Sequence, residues 1–283
     1  MHYTCTLTIA GSDSVGGAGI QADIKTMSAL GVYAASAITA VTVQNTLGVY
    51  DIEALRPEIV GGQIRAVMDD IAPVAVKIGM VNDAATIHAI AEALKPYGGV
   101  KVVIDPVMVS TSGYRLMKED ALQVFRTELM PLASLLTPNI PEAEILADMK
   151  IGNVGDMDSA AAAICRNAKC DVLIKGGHLD GATKTDLLYH DGKRIASYET
   201  RTVDTRNTHG TGCTLSSAIT ANLALGHDMA DAIGLAKEYL YQALEAGKDV
   251  EIGKGHGPVD HFFAPRSLVV EKHYSHTSKH YKQ

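Results

Sequence analysis

The chain has no tryptophan and only three phenylalanines. A large core must therefore be built from Ala, Val, Ile, Leu and Met, a supply that suits Ala-rich helices on Val/Ile strands. No apolar stretch approaches ~18 residues, so no membrane span is expected. The first residues, Met1-His2-Tyr3-Thr4-Cys5, carry neither a cationic segment nor a signal-like apolar run. There is no dense basic run, and the formal charge is −7, which argues against a nucleic-acid binder. An anionic small ligand would need local amides and one or two well-placed cations. Cys5, Cys165, Cys170 and Cys213 form no CxxC pair, and reduced thiols in the cytoplasm are the expectation. GxxxxGK(S/T), HExxH and any close His/Cys cluster are also missing, which removes P-loop enzymes and points away from zinc.

What is present is a long alternation of strand and helix signals. Hydrophobic residues make up 47% and charged residues 20% of the chain, a balance that excludes disorder. Residues 4–10, 37–43, 74–78, 100–104, 134–136 and 172–174 read as strands. Helical patterns run over 18–30, ending at Gly31, and from the Asn82-Asp83 cap through Ile87, Ile90, Ala91 and Leu94. Further helices are expected along Leu122, Phe125 and Leu129, over 159–168, over 213–225, and along Met229, Ile233, Leu240 and Leu244 to Gly247. Asp191-Gly192 between 186–190 and 193–198 is a two-residue hairpin signal. Apolar strands alternating with helices predict an α/β fold with a mainly parallel sheet covered on both faces. One domain is expected over 1–267, followed by a polar, His/Lys-rich tail at 268–283 read as a frayed terminus.

In open α/β sheets ligands bind beyond the carboxyl ends of the strands. Gly11-Ser12-Asp13 with Gly16-Gly17-Ala18-Gly19, then Gln44-Asn45, Gly79-Met80, Asp105-Pro106-Val107, Asn139 with Glu142, and Lys175-Gly176-Gly177-His178 follow successive predicted strands. Gly17 to Ala22 formally matches a dinucleotide fingerprint. The loop is long, however, and the second strand ends in Gln44-Asn45 rather than an acid, so nicotinamide or flavin binding is not expected. Gly210-Thr211-Gly212-Cys213-Thr214 is the stronger signal. Successive amides at a helix N-terminus carry the positive end of the dipole, and glycine lets an anion approach. A tight turn that merely starts a helix is the plain alternative. Cys213 stands where a helix dipole would lower a thiol pKa, although a small buried helix residue would look the same. Lys175 ends an apolar strand, an odd place for a solvated lysine, and is a candidate phosphate contact. Asp105, Asn139 and Glu142 could hold Mg²⁺ directly or through water.

Taken together, Gly11 to Asp23, Lys77 to Met80, Asp105 to Met108, Thr137 to Ala143, Lys175 to His178, Asn207 to Cys213 and Gly253 to Phe262 resemble the hydroxymethylpyrimidine/phosphomethylpyrimidine kinases of the ribokinase superfamily. The resemblance spans about residues 4–263, in order. It implies a ribokinase-like three-layer α/β/α sandwich, ATP with Mg²⁺, a homodimer, and two successive phosphorylations of an aminopyrimidine alcohol in thiamine biosynthesis. It places Gly11, Asp23, Gln44, Met80 and Val107 at the pyrimidine, and Lys175, Thr211 and Gly212, with Gly210, at the ATP phosphates. Asn139 and Glu142 fall on the phosphate and metal side, and Cys213 takes the position of a catalytic base. A Gln amide complements an amine beside a ring nitrogen, so Gln44 can grip the ring in a two-bond fork. A pyridoxal kinase and a catalytically dead ligand binder are the competing readings.

Overall fold

A computed structural model describes residues 1–109, 116–118, 120–176 and 183–271. β1 (His2–Tyr3) and β2 (Cys5–Ser12) lead into α1 (Gly19–Ala29), β3 (Tyr33–Asn45), β4 (Gly48–Ala54) and α2 (Pro57–Asp70). Then come β5 (Ala75–Ile78), α3 (Ala84–Leu94), β6 (Lys101–Ile104), α4 (Ala121–Val124), β7 (Leu135–Leu136) and α5 (Ile140–Ala147). The chain closes with α6 (Val154–Ala168), β8 (Asp171–Lys175), β9 (Thr183–His190), β10 (Lys193–Arg201), α7 (Thr211–Ala224), α8 (Met229–Gly247) and β11 (Val270–Glu271).

The main sheet has the order β10-β9-β8-β7-β6-β5-β2-β3-β4. Its central pairs, from β8 to β3, are parallel, and the two edges are antiparallel. Side chains alternate across the strands with period two. Val76 and Ile78 of β5, Val102 and Ile104 of β6, and Val172 and Ile174 of β8 enter one core with α2, α3, α5 and α6. Ala75, Val103, Leu135, Leu173 and Leu188 enter the other, with residues of α1, α7 and α8. The mainly parallel, three-layer arrangement expected from the sequence is the one found.

Most boundaries moved by a few residues. α6 begins at Val154, ahead of the Ala-rich run, because the Asn153 side chain accepts the Asp156 amide at 3.1 Å and caps it there. The helix expected along Leu122, Phe125 and Leu129 is a short α segment passing into a π-helical turn at Phe125–Leu129 and a 3-10 turn at Met130–Leu132. Asp191 and Gly192 both take positive φ, 48° and 72°, as the hairpin signal requires. The helices α2 and α5 and the strands β1, β4 and β11 were not foreseen. β4 extends β3 into an antiparallel edge, and α2 opens with Pro57 at its first turn and buries Val60, Ile64 and Met68 at helical spacing. The start of the tail is a correction. Val270 and Glu271 pair with Tyr3 and His2, and Thr4 Oγ1 donates to Glu271 Oε1 at 3.1 Å. Residues 272–283 lie outside the described residues, as do Gly177 and His178.

Candidate active site

A cleft of about 860 Å³ opens along the carboxyl ends of the parallel strands. One end of it is the start of α7. Gly210 caps this helix at φ +79°, and a Cβ there would run into the Gly17 carbonyl, so the position is closed to other residues. Gly19, at φ +56°, is pressed in the same way against the Gly11 carbonyl. These two close approaches bring the 11–19 loop onto the N-terminus of α7. The amides of Gly212 and Cys213 lie in the first turn, where a helix has no internal acceptor for them. Asp13 holds the loop: its carboxylate accepts the amides of Val15, Gly17 and Ala18 at 2.9, 3.0 and 2.8 Å. It also meets His209 Nε2 at 2.8 Å. Burial would raise the Asp13 carboxyl, but the His209 and amide hydrogen bonds outweigh it and hold the group below its ordinary range.

Lys175 and Asp105 face this turn. A Cβ on Gly212 would lie 3.3 Å from Asp105 Oδ2 and 3.5 Å from Lys175 Nζ, so glycine there keeps the space between them and the nest uncrowded. The Lys175 charge was expected to be reserved for a ligand. It is not: Lys175 Nζ donates to Asp105 Oδ1 at 2.7 Å, and Thr137 Oγ1 donates to the same oxygen at 3.1 Å. Burial would depress the lysine, but Asp105 and Glu142 raise it. Truncating Lys175 would thus leave a buried carboxylate unpaired, and stability would be lost along with any phosphate contact. Asn139 and Glu142 also line the cleft, yet each is engaged as the capping box of α5. Asn139 Oδ1 accepts the Glu142 amide at 2.9 Å, and Glu142 Oε2 accepts the Asn139 amide at 2.8 Å. Burial pushes the Glu142 carboxyl up to about 7, with the nearby Asp105 adding to the rise. Two buried carboxylates share one lysine here, and that excess of negative charge suits a hard divalent cation held by one or two carboxylates. Among the described residues no group of three His, Cys, Asp or Glu could hold a metal alone.

Cys213 overturns an expectation. The helix dipole was to make its thiolate available near neutral pH. Burial instead pushes the thiol up to about 11; Lys77 and the Gly19 amide oppose the rise, while Asp23 and Asp105 add to it. Desolvation outweighs the dipole because the thiol lies under the 11–19 loop.

At the other end of the cleft Ala40, Met80 and Leu116 form a small apolar cluster, with Ile52 and Val107 against it. A Cβ on Gly11 would press on Met80 Sδ at 3.2 Å. Gln44, half-buried at the end of β3, reaches into the same recess. Gly11, Gln44, Met80 and Val107 are thus brought together as expected. Asp23 is not with them. It is fully buried beneath the cleft, where Lys77 Nζ donates to both its oxygens at 2.9 and 2.8 Å. Thr8 and Ser217 each add a hydrogen bond at 2.6 Å. Helical spacing explains the miss: α1 lines the cleft only at Gly19, its first residue, whereas Asp23, one turn further on, lies on the sheet-facing side.

Other cleft residues escaped the sequence reading. Thr42 and His209 flank Gln44, and Lys237 pairs with Asp186 at 2.8 Å in the cleft wall. A lysine inside the apolar run of β5 was the one legible signal of the buried Asp23–Lys77 pair.

An open anion nest and a small apolar cluster lining one cleft, on a doubly covered parallel sheet, support phosphoryl transfer to a small molecule. The class is that of small-molecule kinases with a ribokinase-like fold. A family model described as phosphomethylpyrimidine kinase matches residues 13–260, and the chain belongs to that family. It is 51% identical over 257 residues to the hydroxymethylpyrimidine/phosphomethylpyrimidine kinase of Rhizobium meliloti (strain 1021), covering 90% of this chain and 96% of that protein. A crystal structure of a Clostridium difficile 630 phosphomethylpyrimidine kinase superposes with a TM-score of 0.75 at 49% identity, covering 85% of this chain and 99% of that one. Bacillus subtilis pyridoxal kinase in complex with ADP superposes with a TM-score of 0.84 at 35% identity, over 92% and 97% of the two chains.

Proposed function

We propose that this kinase transfers the γ-phosphoryl group of ATP to the hydroxymethyl oxygen of 4-amino-5-hydroxymethyl-2-methylpyrimidine, and then a second one to the monophosphate so formed, in thiamine biosynthesis. One observation carries the reading: the amides at the start of α7 and Lys175 share a cleft with the recess of Gly11, Gln44, Met80 and Val107. In the first step the alcohol oxygen attacks phosphorus, the bond to the ADP oxygen breaks, and the alcohol proton leaves to a base. Cys213, once it has lost its own proton, is the group in place to take it. The Gly210-Thr211-Gly212 turn presents the amides of Gly212 and Cys213 to the transferring oxygens, the Thr211 amide being held by the Thr208 carbonyl, and Lys175 and Asn139 face the same phosphates. Mg²⁺ would be held by Asp105 and Glu142, and when bound it would neutralise charge on the phosphate oxygens. In the second step the acceptor is already ionised, and positioning carries the reaction.

A homodimer is part of the same reading. Val41, Val43, Leu47 and Tyr50 stand exposed along the β3–β4 edge, an apolar strip that a second copy would cover. Free thiols at all four cysteines agree with a reducing compartment such as the cytoplasm. A second reading, pyridoxal phosphorylation, is favoured by the likeness to solved pyridoxal kinases. Mass spectrometry of products from the pyrimidine alcohol and Mg-ATP tests the proposal. Two successive phosphoryl additions are expected; turnover of pyridoxal alone would reverse the assignment.

A further inference from the structure

The Gln44 amide meets its own chain at both ends. As placed, its Nε2 lies 3.3 Å from His209 Nε2 and its Oε1 lies 3.3 Å from Thr42 Oγ1. The partners one step further out decide which way round the amide belongs. Asp13 Oδ2 lies 2.8 Å from His209 Nε2. An ionised carboxylate only accepts, so Nε2 carries a proton and gives it to Asp13. That nitrogen then has no lone pair for an amide N–H, and the Gln44 contact is donor against donor. At the other end Thr42 has a single hydroxyl proton. The Ser12 carbonyl, 3.0 Å away, takes it, which leaves Thr42 Oγ1 free only to accept. Turning Oε1 toward His209 and Nε2 toward Thr42 removes both conflicts: Thr42 Oγ1 then accepts from Nε2, and Oε1 faces the His209 N–H, whose proton Asp13 holds, as a second and weaker acceptor.

We propose that His209, oriented by Asp13, and Thr42, oriented by the Ser12 carbonyl, are positioning residues that lock the Gln44 amide in this orientation and so fix which edge of a pyrimidine the recess accepts. The inference rests on the reading of Gln44 as the fork that binds the ring. The amide is anchored from behind by one N–H on Thr42, with one Oε1 lone pair toward the His209 N–H, and the other N–H and lone pair remain for a ligand. His209 immediately precedes the nest in the chain, so Oε1 is the end nearer the reacting centre. In the pyrimidine alcohol the amine is attached next to the carbon bearing the hydroxymethyl group, and the ring nitrogen comes after it. A donor then an acceptor, counted from the reacting end, meets Oε1 then Nε2–H. The 4-oxo analogue, in which the amine has been replaced by a carbonyl, presents an acceptor and then an N–H. It opposes the locked amide at both positions. Locking the amide therefore makes this kinase reject deaminated pyrimidine, which differs from its substrate in little else.

The test compares kcat/KM for the amine ring and for its 4-oxo analogue, with intact protein and Mg-ATP. The unaltered protein should prefer the amine ring by about 10²-fold or more, since the oxo ring leaves buried polar groups unpaired. Thr42→Val removes the acceptor that holds Nε2, frees the amide to turn over, and should shrink the preference at least about tenfold. The change should come largely through KM and include a gain on the oxo ring. Thr42→Ser, which keeps the hydroxyl, should restore the preference. Thr42→Ala reads the same ratio if the valine is not accommodated. A Thr42→Val and Thr42→Ala preference equal to the unaltered protein's, together with a Gln44→Leu protein that has lost it, would overturn the inference and leave the role of Gln44 standing. A Gln44→Leu protein that keeps the full preference would remove the fork itself, and the inference with it.

Discussion

The two faces of the central sheet are built differently. Toward α2, α3, α5 and α6 the strands present Leu7, Ile9, Val76, Ile78, Val102 and Ile104, a surface that is apolar throughout. Toward α1 and α7 the intervening residues include Thr6, Thr8 and Lys77, which meet Met27, Asp23 and Ser217 with every side chain buried. The first face is a packing surface. The second also carries charge to the helix that forms the nest: Ser217 lies one turn beyond Cys213, so the Asp23–Lys77 pair stands one helical turn below the reacting end of α7. Burial alone would push Lys77 down, and Asp23 instead raises it, which keeps a cation beneath the nest. A buried ion pair is weak support for stability compared with apolar packing. Its place under the nest is what sets this face apart.

Breaking the pair should have the largest effect. Asp23→Ala strands the buried Lys77 charge and should cost about 3–5 kcal/mol. Asp23→Leu with Lys77→Met should recover most of that loss, because two apolar side chains need no partner. On the opposite face Ile90→Ala should cost about 2–5 kcal/mol through its cavity, and no second polar change should rescue it. Urea unfolding of the four proteins checks the contrast. Equal rescue on both faces, or none on either, would erase the distinction.

Cys213 sharpens the comparison in rates. As a base it must first lose its proton, so the first phosphorylation should climb about tenfold per pH unit below the thiol value of about 11. The second phosphorylation should stay flat, because its acceptor is already ionised. Cys213→Ala should cut the first step by ~10²–10⁴-fold and remove its slope. Single-turnover rates for both steps would show an equal fall if Cys213 only shapes the nest.

Gln44 hangs from the end of β3, outside either helical layer, and separates binding from scaffold. Gln44→Leu should weaken pyrimidine transition-state binding by about 2–4 kcal/mol. Pyridoxal, whose ring lacks the adjacent amine and nitrogen, should suffer less, and unfolding stability should barely move. Parallel kinetics on the two rings would expose a purely structural role.

The smallest effect concerns acid. His261 is buried against Thr214 of α7, and its backbone oxygen accepts the Tyr239 hydroxyl. Burial pushes the imidazole down to about 4, with Lys25 adding to the fall. The unfolded chain then binds the extra proton between about 6.5 and about 4, so stability is full above that window and is lost as the pH falls through it, at up to about 1.4 kcal/mol per pH unit. His261→Asn should flatten the loss, measured as Tm against pH.

Periodicity and turn chemistry made the fold legible along most of the chain. Apolar runs bounded by Gly, Asn and Pro marked the inner strands, and the Asp191-Gly192 turn set its hairpin. α2 and β4 escaped because their exposed, mixed faces dilute the pattern: Ile59, Tyr50 and Leu47 are apolar yet lie in solvent. The glycines of the nest were also readable, since a left-handed cap and a close backbone approach each demand glycine locally. What the sequence by itself determined is thus most of the elements, their order and the chemistry available at the strand ends. Partners across the fold were decided by tertiary structure alone. Asp23 left the recess for Lys77, 54 residues away, and Lys175 found Asp105 across 70. His209 met Asp13 across 196, and Cys213 lost the benefit of its helix dipole to burial. A charge is governed by whatever lies within a few ångströms and by how much water reaches it, and both are fixed only once strands distant in sequence pair and the helices close over them.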